Sequence, residues 1–321
     1  MAARVKTGGG RFDPAEPFCY FLAGVSNTPG MARHHGHVLC ALNDVMGDEA
    51  RYQDLPRIIA PDHVKLFLDS GVFWLSTRHA KANGLTMDEA LALPPDQLDG
   101  WDKLTTLYVD TVRALEPLLW GYIELDQGGA HVKRQTRAWL ESEGLKPIPV
   151  YHPLVDGWDY FDELVDRYDR ICVGNLVQAS QTTRDKIIVT LHERLRRLKP
   201  ARRPWVHLLG LGPYRTLAAC PVNSCDTSNH VQSMRWGAIV PGAQALGAFS
   251  RLYGFLYDRE RYDDPVIGYH AYGELISYLG HLDERSWRNF LSDRERILGL
   301  PPIPPLERGE PATLTPASVT P

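Results

Sequence analysis

The feature that most constrains this chain is a short apolar run that ends in an acid, with a glycine two places later. Leu66-Phe67-Leu68-Asp69-Ser70-Gly71-Val72-Phe73 shows it most clearly. The run is too short for a helix and does not alternate with polar residues, so it fits a strand buried on both faces, as in a parallel sheet. A glycine after the acid lets the backbone turn sharply or approach a ligand closely. The pattern recurs. Trp120 to Asp126 (Trp-Gly-Tyr-Ile-Glu-Leu-Asp) precedes Gln127-Gly128-Gly129, and Val222 to Asp226 ends in a third acid. Any one of these junctions also fits a solvated Asp at the end of an ordinary strand. Their recurrence is what points to a functional rim.

Further strands are expected over Phe18–Val25, Pro147–His152, Arg170–Val177, Trp205–Gly212 and Trp236–Val240, with Val38–Val45 a strand or a short helix. Apolar residues spaced by threes and fours predict helices over Asp102–Leu119, Lys133–Ser142, Trp158–Arg167 and Thr183–Leu198. A short helix over Tyr214–Ala219 and a closing one over Ala243–Tyr257 follow. Residues 74–100 read as an excursion in which Thr86-Met87-Asp88-Glu89 starts a helix. Strands that alternate with helices imply a parallel sheet. About eight such units over residues 17–257 fit an α/β fold of the (β/α)8 TIM-type barrel class, with extra C-terminal helices over 258–300 packed on it. The competing architecture is an open doubly wound sheet, which would gather the acids at one switch point. A barrel instead brings all strand C-termini to one rim. Residues 1–16 read as a disordered N-terminal arm, and the Pro- and Thr-rich residues 301–321 as a disordered tail.

A formal net charge of -4 argues against a protein that grips nucleic acid by bulk charge, but not against a local basic patch. The cysteines, at 19, 40, 172, 220 and 225, include no CxxC pair and read as reduced, buried thiols of a cytoplasmic protein. No run approaches the ~20 apolar residues of a membrane span, and Met1–Gly10 lacks the apolar stretch of a secretory signal. His34-His35-Gly36-His37 is split by a glycine with no acid in register, so a loop is favoured there over a metal site. The basic run from His192 to Arg203 closes a helix, where it suits the helix dipole. That end of a βα unit faces away from a barrel's site. Arg78, His79 and Arg235 are better placed to meet a phosphate near the mouth.

Three acids at one rim allow a division of labour among a nucleophile, a proton carrier with a raised pKa, and an acceptor for substrate donors. The plainer alternative is that each acid caps the turn after it. At this point the chain resembles the tRNA-guanine transglycosylase superfamily. Asp69-Ser70-Gly71-Val72-Phe73 is similar to its DSGGF-type motif. His207-Leu208-Leu209-Gly210-Leu211-Gly212, with Asp226 downstream, is similar to its (Y)LMGVG motif and nucleophile. Cys172-Val173-Gly174-Asn175-Leu176-Val177 resembles its base-cradling segment. The likeness is nearer to the shorter transglycosylase-like proteins of phages and of bacterial 7-deazaguanine DNA-modification clusters. There Pro149-Val150-Tyr151-His152 and Asn223 to Asn229 match a PVFH-like and an SVDSTSW-like segment.

The resemblance implies exchange of a guanine in nucleic acid, DNA favoured over tRNA, for a 7-deazaguanine such as preQ0. It implies Asp226 as nucleophile, Asp69 as proton carrier and Asp126 as the acceptor that reads the base. Ser70, Gly71, Gly174, Asn175 and Gly210 would line the base pocket, Phe73 or Tyr151 would stack on the base, and Arg235 would meet a phosphate. The superfamily's tRNA-type members hold a structural zinc in a CxCxxC cluster with a distant histidine. No cysteine follows Cys225 here, and Cys220, Cys225 and His230 are a poor imitation. No metal or other cofactor is therefore expected. The partners expected are nucleic acid and the free base, in the cytoplasm of a bacterium or a phage-infected host, with a homodimer or partner proteins also compatible. A hydrolytic relative that uses water in place of the incoming base, and a silent barrel that only binds nucleic acid or a partner, remain as alternatives. The presence of all three acids disfavours the silent barrel.

Overall fold

The apolar runs form eight strands, most of them shorter than the sequence pattern. They are β1 (Cys19–Ala23), β2 (His37–Ala41), β3 (Lys65–Asp69), β4 (Leu119–Tyr122), β5 (Val150–Tyr151), β6 (Arg170–Val173), β7 (Trp205–Leu208) and β8 (Ser224–Thr227). The computed structural model describes residues 3–16, 19–24, 37–212, 216–217, 220 and 222–228. All of these lie in the first of two units, Met1–His281 and Leu282–Pro321. The expected strand Trp236–Val240, the helix Ala243–Tyr257, the helices over 258–300, the tail, and most of Tyr214–Ala219 lie outside the described residues.

Every strand pairing is parallel, in the order β4-β3-β2-β1-β8-β7-β6-β5. The two ends of that order meet. Ile123 and Ile148 form a parallel bridge, with Ile148 N donating to Tyr122 O at 2.8 Å and Glu124 N donating to Ile148 O at 3.0 Å. The sheet therefore closes on itself, and the fold is a (β/α)8 TIM-type barrel. Closure needs no contribution from Trp236–Val240.

The β4–β5 seam is the thinnest part of the wall, and a side chain reinforces it. Glu124 Oε1 accepts from Val150 N at 2.7 Å, while Glu124 Oε2 meets Arg137 Nη1 at 2.7 Å. The carboxylate thus supplies an acceptor where the ladder lacks one, and the buried guanidinium balances its charge.

Among the described residues the helices are α1 (Glu49–Ile59), α2 (Val72–Asn83), α3 (Met87–Ala92), α4 (Trp101–Leu115), α5 (Ala130–Ser142), α6 (Trp158–Arg167) and α7 (Gln181–Arg197). The last four match the sequence expectation closely. Helix α4 stops four residues early because Pro117 disfavours helix before it. A 3-10 turn over Glu116–Leu118 leads into β4. Val38–Val45 resolves into β2 and a 3-10 turn at Leu42–Asp44. Helices α1 and α2 were not expected. Helix α1 carries Pro56 in its interior. Helix α2 has no polar side-chain cap, so no capping residue marks its start in the sequence. The break comes from Gly71, whose φ of +80° sets the start of α2. The start of α3 is a capping box between Thr86 and Glu89, as the sequence indicates. No described helix is long and apolar enough to cross a membrane.

Side chains fill the barrel in layers. At mid-height Phe21, Phe67 and Trp120 contact one another edge-on or tilted, with ring centroids 4.9 to 5.4 Å apart. Each such ring contributes about 1.5–3 kcal/mol of burial, and the packing of rings adds to it.

The lower, N-terminal mouth of the barrel corrects one expectation. The N-terminal arm is not disordered where it is described but plugs this mouth. Phe12 sits edge-on against Trp120 and Trp205 at 5.2 and 5.4 Å. The buried Arg170 guanidinium lies 4.1 Å from the Phe12 ring centroid and donates to Thr7 Oγ1, Thr7 O, Gly8 O and Trp120 O. Val5 bridges Tyr168, and Thr7 bonds Asp169. The run Gly8-Gly9-Gly10 looks like a flexible tether in sequence. In the structure it is a close approach, because a Cβ at Gly9 would collide with the Trp120 carbonyl. Sequence reading missed the plug because its partners lie 48 to 198 residues away.

Candidate active site

The upper rim gathers the three acids. Asp69 ends β3, Asp226 lies within β8 paired with Phe21 of β1, and Asp126 follows the β4 seam. Two of them are anchored by histidines from the neighbouring strand. His207 Nε2 lies 3.1 Å from Asp226 Oδ1, and Gly210 N donates to the same oxygen at 2.8 Å. On the other side of the mouth, His152 Nε2 lies 2.9 Å from Asp126 Oδ2, and Ser70 Oγ is 3.4 Å from Asp126 Oδ1. Both aspartates and both histidines are buried.

Asp69 differs from the other two. Among the described residues no histidine pairs with it, and its one hydrogen bond of note comes from Gly71 N. It keeps some exposure to the mouth, but protein surrounds its carboxyl almost completely. Burial, and then the negative charges of Asp126 and Asp226, push its pKa up to about 7; the Gly71 N–H opposes the shift and Asp44 adds to it. Burial beside two other carboxylates thus keeps Asp69 half-protonated at neutral pH. One carboxyl with a raised pKa next to two hydrogen-bonded acids suits a division into nucleophile, acceptor and proton carrier.

A second layer of side chains fixes this geometry. Lys133 of α5, fully buried, pairs with Asp156 and donates to Val150 O at 3.1 Å. Asp156 Oδ2 also accepts from His152 N at 2.8 Å. Burial, then the Lys133 charge, lowers the His152 pKa, so the ring is neutral at neutral pH and offers Asp126 a hydrogen bond rather than a cation. Gln127 ties the rim to the excursion. Its Nε2 donates to Ala90 O and Leu93 O, and its Oε1 accepts from Ser76 of α2.

No family model and no curated protein matches the chain. Among solved structures, orotidine 5'-monophosphate decarboxylase from Sulfolobus solfataricus matches with a TM-score of 0.37 and 10% identity, over 75% of this chain and 98% of that one. A likeness that faint says nothing about shared chemistry.

The remaining sequence candidates divide. Ser70 is fully buried and serves Asp126, and it also accepts from Val72 N at the start of α2. Phe73, in the first turn of α2 beside Asp69, is 50% exposed and free to meet a ligand. Asn175 has a positive φ of +48°, is buried, and has both amide atoms without a hydrogen-bond partner among the described residues. Its amide offers one donor group and one acceptor that no described residue uses.

Gly174 does not leave an open cradle, because a Cβ there would lie 2.9 Å from the His152 ring. Its missing side chain admits that histidine. Gly210 acts on Asp226 through its N–H. Tyr151 corrects the stacking expectation. Val150 and His152 face the barrel interior, so Tyr151 points outward, where its ring meets Trp158 and Phe161 of α6 at 5.3 and 5.2 Å. Arg235 lies outside the described residues. Arg78 stacks on Trp74 of its own helix.

The basic run at 192–203 is largely engaged by helix α6 and its own helix end. Arg194 pairs with Asp162, Arg202 with Asp166, and Arg203 bonds carbonyls at the end of α7. All five cysteines are buried and unbonded to one another. Among the described residues one cluster of metal-ligating types occurs, Glu16, Cys19 and His37. Its carboxylate is already in contact with the Lys65 ammonium and accepts from Trp120 Nε1. That leaves it the character of an ion-paired plug at the lower mouth.

His152 and His207 were legible in the sequence only as members of motifs. Strand alternation was the available signal. His207 shares its face with Trp205, and His152 with Val150, and each ends beside a strand that carries an acid.

Proposed function

We propose that this chain is a guanine transglycosylase that exchanges a guanine base in nucleic acid, DNA in preference to tRNA, for a 7-deazaguanine such as preQ0. The observation that carries this reading is a carboxyl group held near pKa 7 between two carboxylates that are each anchored by a histidine. The order and spacing of the motifs through Asp69, Gly174, Gly210 and Asp226 support the same reading.

In the first half-reaction an Asp226 oxygen bonds to C1′ of the target nucleotide as the bond from C1′ to the guanine nitrogen breaks. Protonated Asp69 gives its proton to the departing base. In the second half, ionised Asp69 takes the N9 proton of the incoming 7-deazaguanine, whose nitrogen attacks C1′ and expels Asp226. Two displacements retain the configuration at C1′ and return Asp69 to its starting state. Asp126 accepts from the N–H groups on the base's pairing edge, which requires the base to leave its stack. Phe73 offers an exposed aromatic face beside Asp69.

The test is nucleoside mass spectrometry of DNA and tRNA from cells that express the protein and are supplied with a 7-deazaguanine. Deazaguanosine in either polymer supports exchange and names the substrate. Abasic sites with free guanine support hydrolysis. Unmodified nucleic acid in both fractions, with the purified protein also inert toward labelled guanine, removes the proposal.

A further inference from the structure

Four side chains beneath the rim form a single hydrogen-bonded line. Trp205 Nε1 is 2.9 Å from Ser224 Oγ, Ser224 Oγ is 2.9 Å from His207 Nδ1, and His207 Nε2 is 3.1 Å from Asp226 Oδ1. Ser224 and His207 are at most 1% exposed, Asp226 4% and Trp205 7%, so water does not settle their hydrogen bonds. The chemistry of each group then fixes the direction of the line. An indole N–H can only donate, so Ser224 Oγ accepts from Trp205. An ionised carboxylate can only accept, so His207 Nε2 carries a proton. The serine has one proton to give, and among the described residues its remaining neighbour is His207 Nδ1. A neutral imidazole with its proton on Nε2 satisfies every atom of the line. An imidazolium would put two protons between Nδ1 and Oγ and leave the serine proton without an acceptor in a buried place, a cost of the order that disfavours buried unsatisfied groups.

We infer that Trp205 and Ser224 are positioning residues that lock His207 as the neutral Nε2–H tautomer and thereby set which oxygen of Asp226 reacts. Among the described residues both hydrogen bonds to Asp226, from His207 and from Gly210 N, fall on Oδ1. Oδ2 is then the oxygen that bonds to C1′, and Oδ1 becomes the carbonyl oxygen of the glycosyl ester. The same two donors hold Oδ1 through both half-reactions, so they stabilise the carboxylate as it departs. A neutral donor leaves Asp226 its full negative charge, whereas a cationic one would blunt it. The rings of Phe21 and Phe67, with centroids 5.7 and 4.8 Å from that of the imidazole, pack edge-on against it and hold its orientation. The tautomer rests on geometry alone. The choice of reacting oxygen rests on the transglycosylase reading.

The experiment is ring-nitrogen NMR of the full chain with 15N-labelled histidine, the His207 signals being assigned by their loss in His207→Gln. The expected wild-type result at pH 7 is a protonated Nε2 and an unprotonated Nδ1. The opposite tautomer, a mixture, or an imidazolium overturns the inference, and this reading needs no variant to fold. Ser224→Ala removes the hydroxyl that donates to Nδ1 while Asp226 still holds the Nε2 proton, so Nδ1 should take up a proton in part of the molecules at pH 7, and kcat for base exchange should fall by as much as roughly a hundredfold, the scale of a misplaced reacting group, with KM for the base little changed. Ser224→Thr should restore both. A Nδ1 that stays as unprotonated in Ser224→Ala as in the wild type also overturns the inference. If the wild type shows the expected tautomer but no exchange activity of any kind, the tautomer lock stands and the transglycosylase reading fails.

Discussion

His152 Nε2 sits 2.9 Å from Asp126 Oδ2, and the Cα of Gly174 closes on the same ring so tightly that a methyl group there would lie 2.9 Å from it. Asp126 is therefore aimed by a neutral histidine that a glycine just past the end of β6 makes room for. Replacing His152 by Ala should loosen Asp126 in ground and transition states alike. The expected result is a KM for the incoming base raised roughly tenfold with kcat changed much less, measured by labelled-guanine exchange. A kcat effect alone would move His152 from aiming the base to the chemistry.

Asp226→Ala is expected to abolish exchange while leaving the fold in place. It strands the His207 and Gly210 donors, so a loss of about 1–3 kcal/mol in stability accompanies it. Asp226→Asn should be equally inactive with less loss of stability, since its oxygen still accepts from Gly210 N. Intact-protein mass spectrometry checks the point, because a covalent glycosyl adduct should form on the wild type and on neither variant.

Asp69 ties activity and stability to pH. Its folded pKa of about 7 lies above the roughly 3.9 of an unfolded Asp. Between these values the folded chain binds more protons than the unfolded one. Stability from this group is therefore greatest at the acid end, falls as pH rises from about 4 to about 7, and changes no further above that. Asparagine does not titrate, so Asp69→Asn should gain in Tm over wild type across that window and hold a constant advantage beyond it. Calorimetry at pH 4, 6 and 8 measures this. A difference independent of pH would sink the raised pKa. In kinetics, kcat/KM for the nucleic acid should fall above pH about 7, where Asp69 has lost its proton. For the incoming base it should fall below that pH. Asp69→Asn should block turnover far more than binding.

Tyr151→Phe separates sequence expectation from structure. Among the described residues the buried hydroxyl has no hydrogen-bond partner, and the ring faces α6. Exchange should be unaffected, and stability should be unchanged or higher by up to about 1 kcal/mol. A large loss of base affinity would place this ring in the pocket after all.

The N-terminal plug should matter to stability in proportion to Arg170. Deleting residues 1–13 strips three of the guanidinium's acceptors and its Phe12 contact, and leaves a charge facing an apolar interior. A loss of about 3 kcal/mol or more is expected from urea unfolding. Arg170→Met in the deleted chain should recover part of it. An unchanged midpoint would mean that the arm contributes nothing.

Much of this molecule is written locally. The apolar runs through Leu66–Leu68, Ile171–Val173 and Val206–Leu208, and the helical spacing of Trp158–Arg167, state a parallel α/β chain, because burial period depends on neighbours a few residues away. The acids at the strand ends are equally plain. Other features depend on residues brought together from far along the chain. Gly8-Gly9-Gly10 reads as a tether until Trp120 and Arg170 arrive beneath it. Tyr151 reads as a stacking ring until the pleat turns it to α6. His152 and His207 read as motif letters until strand pairing sets each beside an acid. The sequence by itself determined that apolar strands lead toward acids and which three carboxylates those are, but not where each strand stops. Only strand pairing and closure of the barrel decided which of them a histidine holds, and which one, buried beside the other two, keeps a proton near neutral pH. The reason is that burial and Coulomb interactions depend on distance in space: the β7–β8 pairing sets His207 beside Asp226, and the seam between Ile123 and Ile148 brings Asp126 to His152.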